Sequence, residues 1–308
     1  MRIGINGSTL IAMGGSLDQM VDHAAEAEAD GFSSYWLAQL AVPDALTAIA
    51  VMGNRTSTIE LGTAVIPTWP RHPLMLAAQA LTVQEAIGNR LALGIGLAHK
   101  SSVESTLKIP FATPAKHMDE YLSVLLPAMN QRAVSFTGDI WSAEVEAVTG
   151  APGAKAPSVL LAAMGPRMLQ MAGGRTDGSI LWLSGPKTIA EKLKPALEEA
   201  ASAAGRPSPR IVASVPICVT KNPDDVRGAI AAILDGYNDL PSYRGVMDAE
   251  GAAGPADVSI VGSEDEVREG LAAFAGAGAT DFAALEFFTN ADEIAATRAL
   301  LKDLAGAA

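Results

Sequence analysis

Between residues 59 and 100 the hydrophobic pattern changes period twice. Residues 59–66 are a short, β-branched apolar run that reads as a buried strand. Pro70 and Pro73 interrupt it, and Pro73 stands where a helix can begin. Over residues 74–87, Leu74, Ala77, Ala78, Leu81 and Ile87 recur at helical spacing, and Gly88-Asn89 ends the run. Residues 90–97 form a second buried strand that finishes in Ala98-His99-Lys100. A strand, a helix and a strand of these lengths make a parallel βαβ unit with a right-handed crossover.

The same alternation runs the length of the chain. Further strands are predicted at 2–6, 34–37, 158–162, 179–183, 210–220 and 281–287. Helices are predicted at 17–30, 43–52, 116–129, 166–174, 186–204, 223–234, 264–275 and 291–304. Ser16 is placed to cap the first helix, whose Leu17, Met20, Ala24 and Ala27 share one face. Residues 101–114 carry little periodicity and read as an insertion. Residues 133–141 alternate around Thr137-Gly138-Asp139 as a small hairpin, and 147–157 form a Gly/Pro/Ala linker. Residues 237–258 are polar and Gly-rich, a lid or second insertion. About eight β/α repeats, in one domain over 1–308 with insertions around 101–114, 133–157 and 237–258, point to an α/β fold, a (β/α)8 TIM barrel. An open doubly wound sheet is the alternative. It ordinarily carries G-x-G-x-x-G after its first strand, a spacing that the glycines following Ile3 do not have.

Composition narrows the partners. A net charge of −12 argues against nucleic acid or an anionic membrane, and carboxylates such as Glu26, Glu28, Glu198 and Glu199 read as a solvated acidic surface. With 49% hydrophobic residues and a mean hydropathy of +0.24, the chain is expected to be ordered. Cys218 is the single cysteine and sits in an apolar run, which excludes an intrachain disulfide or a cysteine metal site. The start, MRIGINGS, shows no secretory signal, and no run of about 18 apolar residues is present, so the cytoplasm is the default compartment.

In a parallel barrel the residues just past the strand ends face the active site. His99 follows the strand at 90–97 and is the foremost candidate; its other reading is an ordinary loop histidine. Trp69-Pro70-Arg71-His72-Pro73 follows the preceding strand, and Arg71 either ties that loop to a neighbour or contacts substrate. Ala163, Met164, Gly165, Pro166, Arg167 and Met168 join a strand to a helix N-terminus. A glycine there admits a ligand to the backbone, the free N–H groups favour an anion and Arg167 adds charge; a plain βα loop with proline at its first helical position is the other reading. There is no HExxH, CxxC, P-loop or GxSxG. His23 reads as a surface residue and His117 as either buried or exposed. The four histidines are too far apart in sequence to suggest a metal site.

Taken together, several motifs resemble the luciferase-like monooxygenase superfamily: Leu61-Gly62-Thr63-Ala64-Val65, Arg71-His72-Pro73, Gly88-Asn89-Arg90 and Leu93-Gly94-Ile95-Gly96. Asp44-Ala45-Leu46-Thr47 and Val261-Gly262-Ser263 with Glu266-Val267 fit the same pattern. Gly96-Leu97-Ala98-His99 is most similar to the branch that uses the deazaflavin coenzyme F420 in place of FMN. The resemblance implies a barrel with insertions and a cofactor lying across the C-terminal strand ends. It also implies a non-prolyl cis peptide at Ala64–Val65 behind the cofactor ring. Asn6, Gln39, Ala64, Val65 and His99 would line the cofactor, and its phosphate would lie at Ala163, Met164, Gly165, Pro166, Arg167 and Met168. Relatives often carry an Asp-His pair at the end of the second strand; Gln39 and Leu40 stand there instead, which leaves His99 as the substitute acid/base.

The leading expectation is an oxidoreductase moving a hydride between deazaflavin C5 and a small organic substrate, acting as a reductase. An FMN-dependent monooxygenase and a flavin-binding protein without turnover are the alternatives. Met13, Trp69 and Trp182, with 237–258, would line a partly apolar substrate pocket. A homodimer is expected.

Overall fold

The computed structural model describes residues 1–40 and 42–306. Eight parallel strands run round a closed ring in chain order: Arg2–Asn6, Ser34–Leu37, Glu60–Thr63, Leu91–Gly96, Ser158–Leu161, Gly178–Trp182, Arg210–Ser214 and Asp281–Glu286. The ring closes where the first strand meets the last, with Arg2 opposite Asp281 and Ile5 opposite Ala284. This is the TIM-barrel fold anticipated from the alternating pattern. Among the described residues no helix is long and apolar enough to cross a membrane.

Local chemistry sets the helix starts. Ser16 and Gln19 form a reciprocal capping box at Leu17–Ala29, and Ser263 and Glu266 form another at Glu264–Ala277. Asp44 caps Ala45–Met52, and the imidazole of His72 accepts from the Leu74 N–H at the head of Pro73–Ala86. These helices turn their apolar stripes inward onto the outer face of the barrel.

Inside, the barrel is filled in layers. Trp36, Ala92, Leu160, Ile180, Val212 and Ala283 form a buried plug. The Trp36 ring occupies the space beside Gly62, where a Cβ would stand 2.3 Å from it. Below the plug, at the N-terminal strand ends, the guanidinium of Arg210 lies 5.5 Å from the centre of the Trp36 ring. It also pairs with Glu60 and Asp281, and Arg2 adds a second cation to Asp281. Charge closes the lower end. Above the plug the side chains are small: Ala64, Val65 and Ala162 pack on it while remaining partly exposed.

Five local readings are corrected. The run at 59–66 is two short strands, Glu60–Thr63 and Ile66–Pro67, separated by the cis Ala64–Val65 peptide. The run at 210–220 divides into Arg210–Ser214 and Pro216–Val219. The second piece leaves the ring to pair with the last strand and with Ile260–Gly262, a strand not predicted at all. The insertion at 101–114 contains a π-helical turn, Ser102–Thr106. The hairpin is longer than expected, Val134–Thr137 against Ser142–Val145, because the Glu120 carboxylate gathers the N–H groups of Asp139, Ile140 and Trp141 at its turn. The polar stretch after residue 237 is largely a helix, Pro241–Glu250, whose Val246 and Met247 are buried.

Glu28 shows how the outer layer is fastened. Its carboxylate accepts the backbone N–H groups of Ser57, Thr58 and Ile59 and the Thr58 hydroxyl, tying the first long helix to the entry of the third strand. Burial alone would raise its pKa; the hydrogen bonds from Ile59, Thr58 and Ser57 outweigh that and hold it at about 2. The folded pKa lies below the unfolded value, so the contribution is present above about 4.5 and is lost as pH falls toward 2. Glu28→Gln should lower stability at pH 7 by about 1–3 kcal/mol. In urea titrations the gap between variant and parent should narrow as pH falls below 4.5; a gap independent of pH would exclude the charge as its source.

Candidate active site

The C-terminal strand ends form the open face of the barrel. Each side of this mouth is built differently. On strands two to five the backbone carries small groups: Ala38, Ala64, Gly96 and Ala162. A Cβ at Gly96 would fall 2.7 Å from Val65 and 3.1 Å from Ala162, so this floor is already in contact without one. The Gln39 backbone N–H reaches toward the Val65 carbonyl and helps fix the Ala64–Val65 peptide at the rim.

On the opposite side the polar groups are knitted together. Asn6 donates to Ser214 Oγ at 3.1 Å and accepts from Ser8 through both its backbone N–H and its hydroxyl. Ser214 in turn donates to the Ala283 carbonyl. Asn6, expected to line a cofactor, thus spends most of its amide holding the first and seventh strands together. The Gln39 side-chain Oε1 accepts the Ala45 N–H at 2.8 Å at the head of the next helix, and Leu40 is 60% exposed. Arg71 forms an ion pair with Asp44 through Nη2, and Asp44 also takes a hydrogen bond from Gln79; the buried Nη1 of Arg71 has no hydrogen-bond partner among the described residues.

His99 stands where the sequence placed it, just past the fourth strand. Ala98 before it adopts a left-handed backbone, φ 58°, which turns the chain back across the mouth. The His99 carbonyl accepts the Val103 N–H at the start of the π-helical turn. The imidazole meets two tyrosine rings edge-on, Tyr237 at 5.8 Å and Tyr243 at 5.6 Å. Both come from the stretch read as a lid; they were not singled out, because only the fold shows that this stretch reaches the fourth strand. Burial lowers the His99 pKa, so the neutral ring dominates at neutral pH.

Trp182 ends the sixth strand and joins the same group, 6.3 Å from Tyr237. Met13 is 64% exposed beyond the first strand. Trp69 is drawn the other way: it stacks on His117 at 3.7 Å, with Phe111 beside it, and is only 9% exposed. His117 is fully buried, accepts from the Trp141 indole N–H and bonds Thr68 through its other nitrogen. Burial brings its pKa down to about 4. His23, read as a surface residue, is half-buried, hydrogen-bonded to Tyr35 and beside the Glu286–Arg298 pair, because its helix turns that face toward the last strand.

The helix Pro166–Arg175 starts without a side-chain cap, and the space over Gly165 is open. Arg167 is exposed and has no ion-pair partner among the described residues. It lines a groove of about 630 Å³ with Lys116, Asp119 and Arg175; Arg175 pairs with Asp119 and Lys116 with Asp139.

The family model for luciferase-like monooxygenases matches residues 2–281. An uncharacterized protein of Mycobacterium tuberculosis is 25% identical over 264 residues, 80% of this chain and 77% of that one. The 5,10-methylenetetrahydromethanopterin reductase of Methanopyrus kandleri is 28% identical over 252 residues, 73% of this chain and 70% of that one. Among solved structures, the coenzyme F420-dependent tetrahydromethanopterin reductase from Methanopyrus kandleri aligns with a TM-score of 0.80 at 19% identity, over 98% of this chain and 97% of that one. A type II Baeyer–Villiger monooxygenase of Pseudomonas putida, in complex with FMN, aligns at 0.77 and 17% identity over 98% and 96%.

The buried His117 and the half-buried His99 should separate in an NMR titration. His117 should stay neutral down to about pH 4, and His99 should titrate below 6.5. Because the folded ring resists protonation, His117 should cost stability as pH falls from 6.5 toward 4. Titration of either the His99 or the His117 ring near 6.5 would contradict the burial described.

Proposed function

Because this chain belongs to the luciferase-like monooxygenase family, we propose that it is an F420-dependent oxidoreductase, moving a hydride between deazaflavin C5 and a small, partly apolar organic substrate in the reductive direction. One observation carries this reading: the small-residue floor of Ala38, Ala64, Gly96 and Ala162 beside an uncapped helix start at Gly165. The floor suits a flat ring system, and the helix start suits the anion attached to it. The preference for the deazaflavin over FMN rests on the sequence relatives, which include F420-dependent glucose-6-phosphate dehydrogenase of Mycobacterium tuberculosis at 28% identity.

When bound, the deazaflavin supplies the hydride at C5; the chain binds, orients and excludes water. Ala64, Val65, Gly96 and Ala162 leave room for the ring, and Gly165, Arg167 and the Met168 N–H would hold the phosphate. Gln39 and Leu40 offer no acid or base at the second strand: one is occupied as a cap and the other is aliphatic. His99 is therefore assigned the proton that balances the hydride, either donating it or positioning the water that does. Burial keeps its protonated form scarce at neutral pH, so reduction should speed up as pH falls toward its lowered pKa. Met13, Leu40 and Val42, exposed around the mouth, favour an apolar substrate.

Titration with F420 and with FMN, followed by oxygen uptake with whichever binds, tests the assignment. Tight F420 binding without oxygen uptake is expected; FMN binding with oxygen uptake would mean a monooxygenase, and binding of neither would end the reading. Arg167→Ala should weaken F420 by roughly tenfold or more and leave a truncated cofactor lacking phosphate unaffected. Equal losses would make Arg167 structural.

His99→Ala and His99→Gln should each lower turnover by about 10²–10⁴-fold, with cofactor affinity nearly unchanged. Full activity in the Gln variant would move the proton to solvent. Loss of cofactor in both would move His99 to the cofactor site.

A further inference from the structure

We propose that Tyr237 and Tyr243, with Trp182 and His99, form the substrate-selecting wall of this site, and that the wall favours a flat, conjugated carbonyl compound over its saturated counterpart. The inference rests on the oxidoreductase reading and adds a substrate class to it.

The four rings come from three separate parts of the chain. His99 follows the fourth strand, Trp182 ends the sixth, and the tyrosines belong to the segment that includes Asp235–Tyr237 and Pro241–Glu250. They nonetheless meet as one group. Tyr237 and Tyr243 are 4.7 Å apart and nearly perpendicular, and the edge-on contacts to His99 and Trp182 continue the set. Edge-to-face packing of this kind leaves some ring faces free for a further π-system. His99, Trp182 and Tyr237 each keep part of their surface open.

The wall is held in place rather than loosely draped. Leu183 packs with Met247, Ala252 and Val258 in a buried cluster of its own. The Glu250 carboxylate accepts the backbone N–H groups of Lys187 and Thr188, and the Thr188 hydroxyl donates to the Val246 carbonyl. The inserted helix is thereby fastened over the end of the sixth strand. Two non-glycine residues beside the wall, Ala98 and Leu183, keep left-handed backbones at φ 58° and 53°. Backbone of this kind persists where the surroundings enforce it, and it gathers at ligand sites.

Polar chemistry at the wall fits a carbonyl. A neutral imidazole has an N–H to give, and Tyr237 has a hydroxyl. A carbonyl oxygen accepts such donors, whereas an alkane offers them nothing. An ammonium ligand would leave these N–H and O–H donors without an acceptor.

Equilibrium binding of acetophenone and cyclohexyl methyl ketone, which share one carbon skeleton, tests the wall directly; tetramethylammonium serves as the cationic probe. The parent protein should bind acetophenone more tightly than either of the others. Tyr237→Leu should weaken acetophenone by roughly three- to tenfold and leave cyclohexyl methyl ketone unchanged. Tyr237→Phe should retain the preference. Unchanged F420 affinity in the Leu variant would show that the barrel is intact. Equal binding of the two ketones by the parent, a parallel loss of both in the variant, or a preference for tetramethylammonium would each overturn the proposal. Failure of F420 to bind the parent would instead remove the oxidoreductase reading, while the ketone preference would stand or fall on its own numbers.

Discussion

Pairing of the first strand with the last is the constraint on which the molecule depends. Once Arg2–Asn6 lies beside Asp281–Glu286, no edge of the ring is left open. Parallel strands then send alternate side chains inward in layers. The lowest layer is ionic: Arg210 gathers Glu60 and Asp281 beneath Trp36. The buried Asp281 carboxylate persists because the guanidinium is held against it; burial opposes its charge, and its hydrogen bonds to Arg210 prevail. The middle layer is a hydrocarbon plug. A filled bottom and middle leave the upper end as the place where a ligand can enter the ring.

That upper end is asymmetric for a physical reason. Strands one, seven and eight need cross-links near the closure, and Asn6, Ser8 and Ser214 supply them. Strands two to five carry alanine and glycine instead, which lowers the floor on that side. Three departures from regular backbone lie at the strand ends around this mouth: the Ala64–Val65 peptide, Ala98 and Leu183. Rigid strands provide the position, and the irregular residues aim the side chains.

Period and punctuation made most of the barrel readable from the chain. The ring strands carry apolar runs near glycine or proline, and two of those runs, 59–66 and 210–220, are legible but hide breaks at Ala64–Val65 and at Val215, where the residues read as continuing strand. Ile260–Gly262 was missed because three residues are too short for a period to show. His99 was legible because strand ends are legible. Its neighbours were not: Tyr237 and Tyr243 lie more than 130 residues downstream of it, in a stretch whose glycines and charges masked a helix that is stabilised by burial against Leu183 rather than by its own pattern. His23 failed for a similar reason; its partners, Glu286 and Arg298, lie at the far end of the chain.

The attachment of Glu250 to the backbone of Lys187 and Thr188 has an architectural consequence. A carboxylate reaching main-chain amides asks nothing of the side chains at those two positions. The inserted helix is therefore docked chiefly onto main chain, the start of the helix after the sixth strand, with the Thr188 hydroxyl and the bare backbone of Gly185 as the side-chain conditions. Such a joint makes the segment behave as an exchangeable cassette: its ring-bearing face can be rewritten over generations while the ionic base, the plug and the low floor beneath it stay as they are.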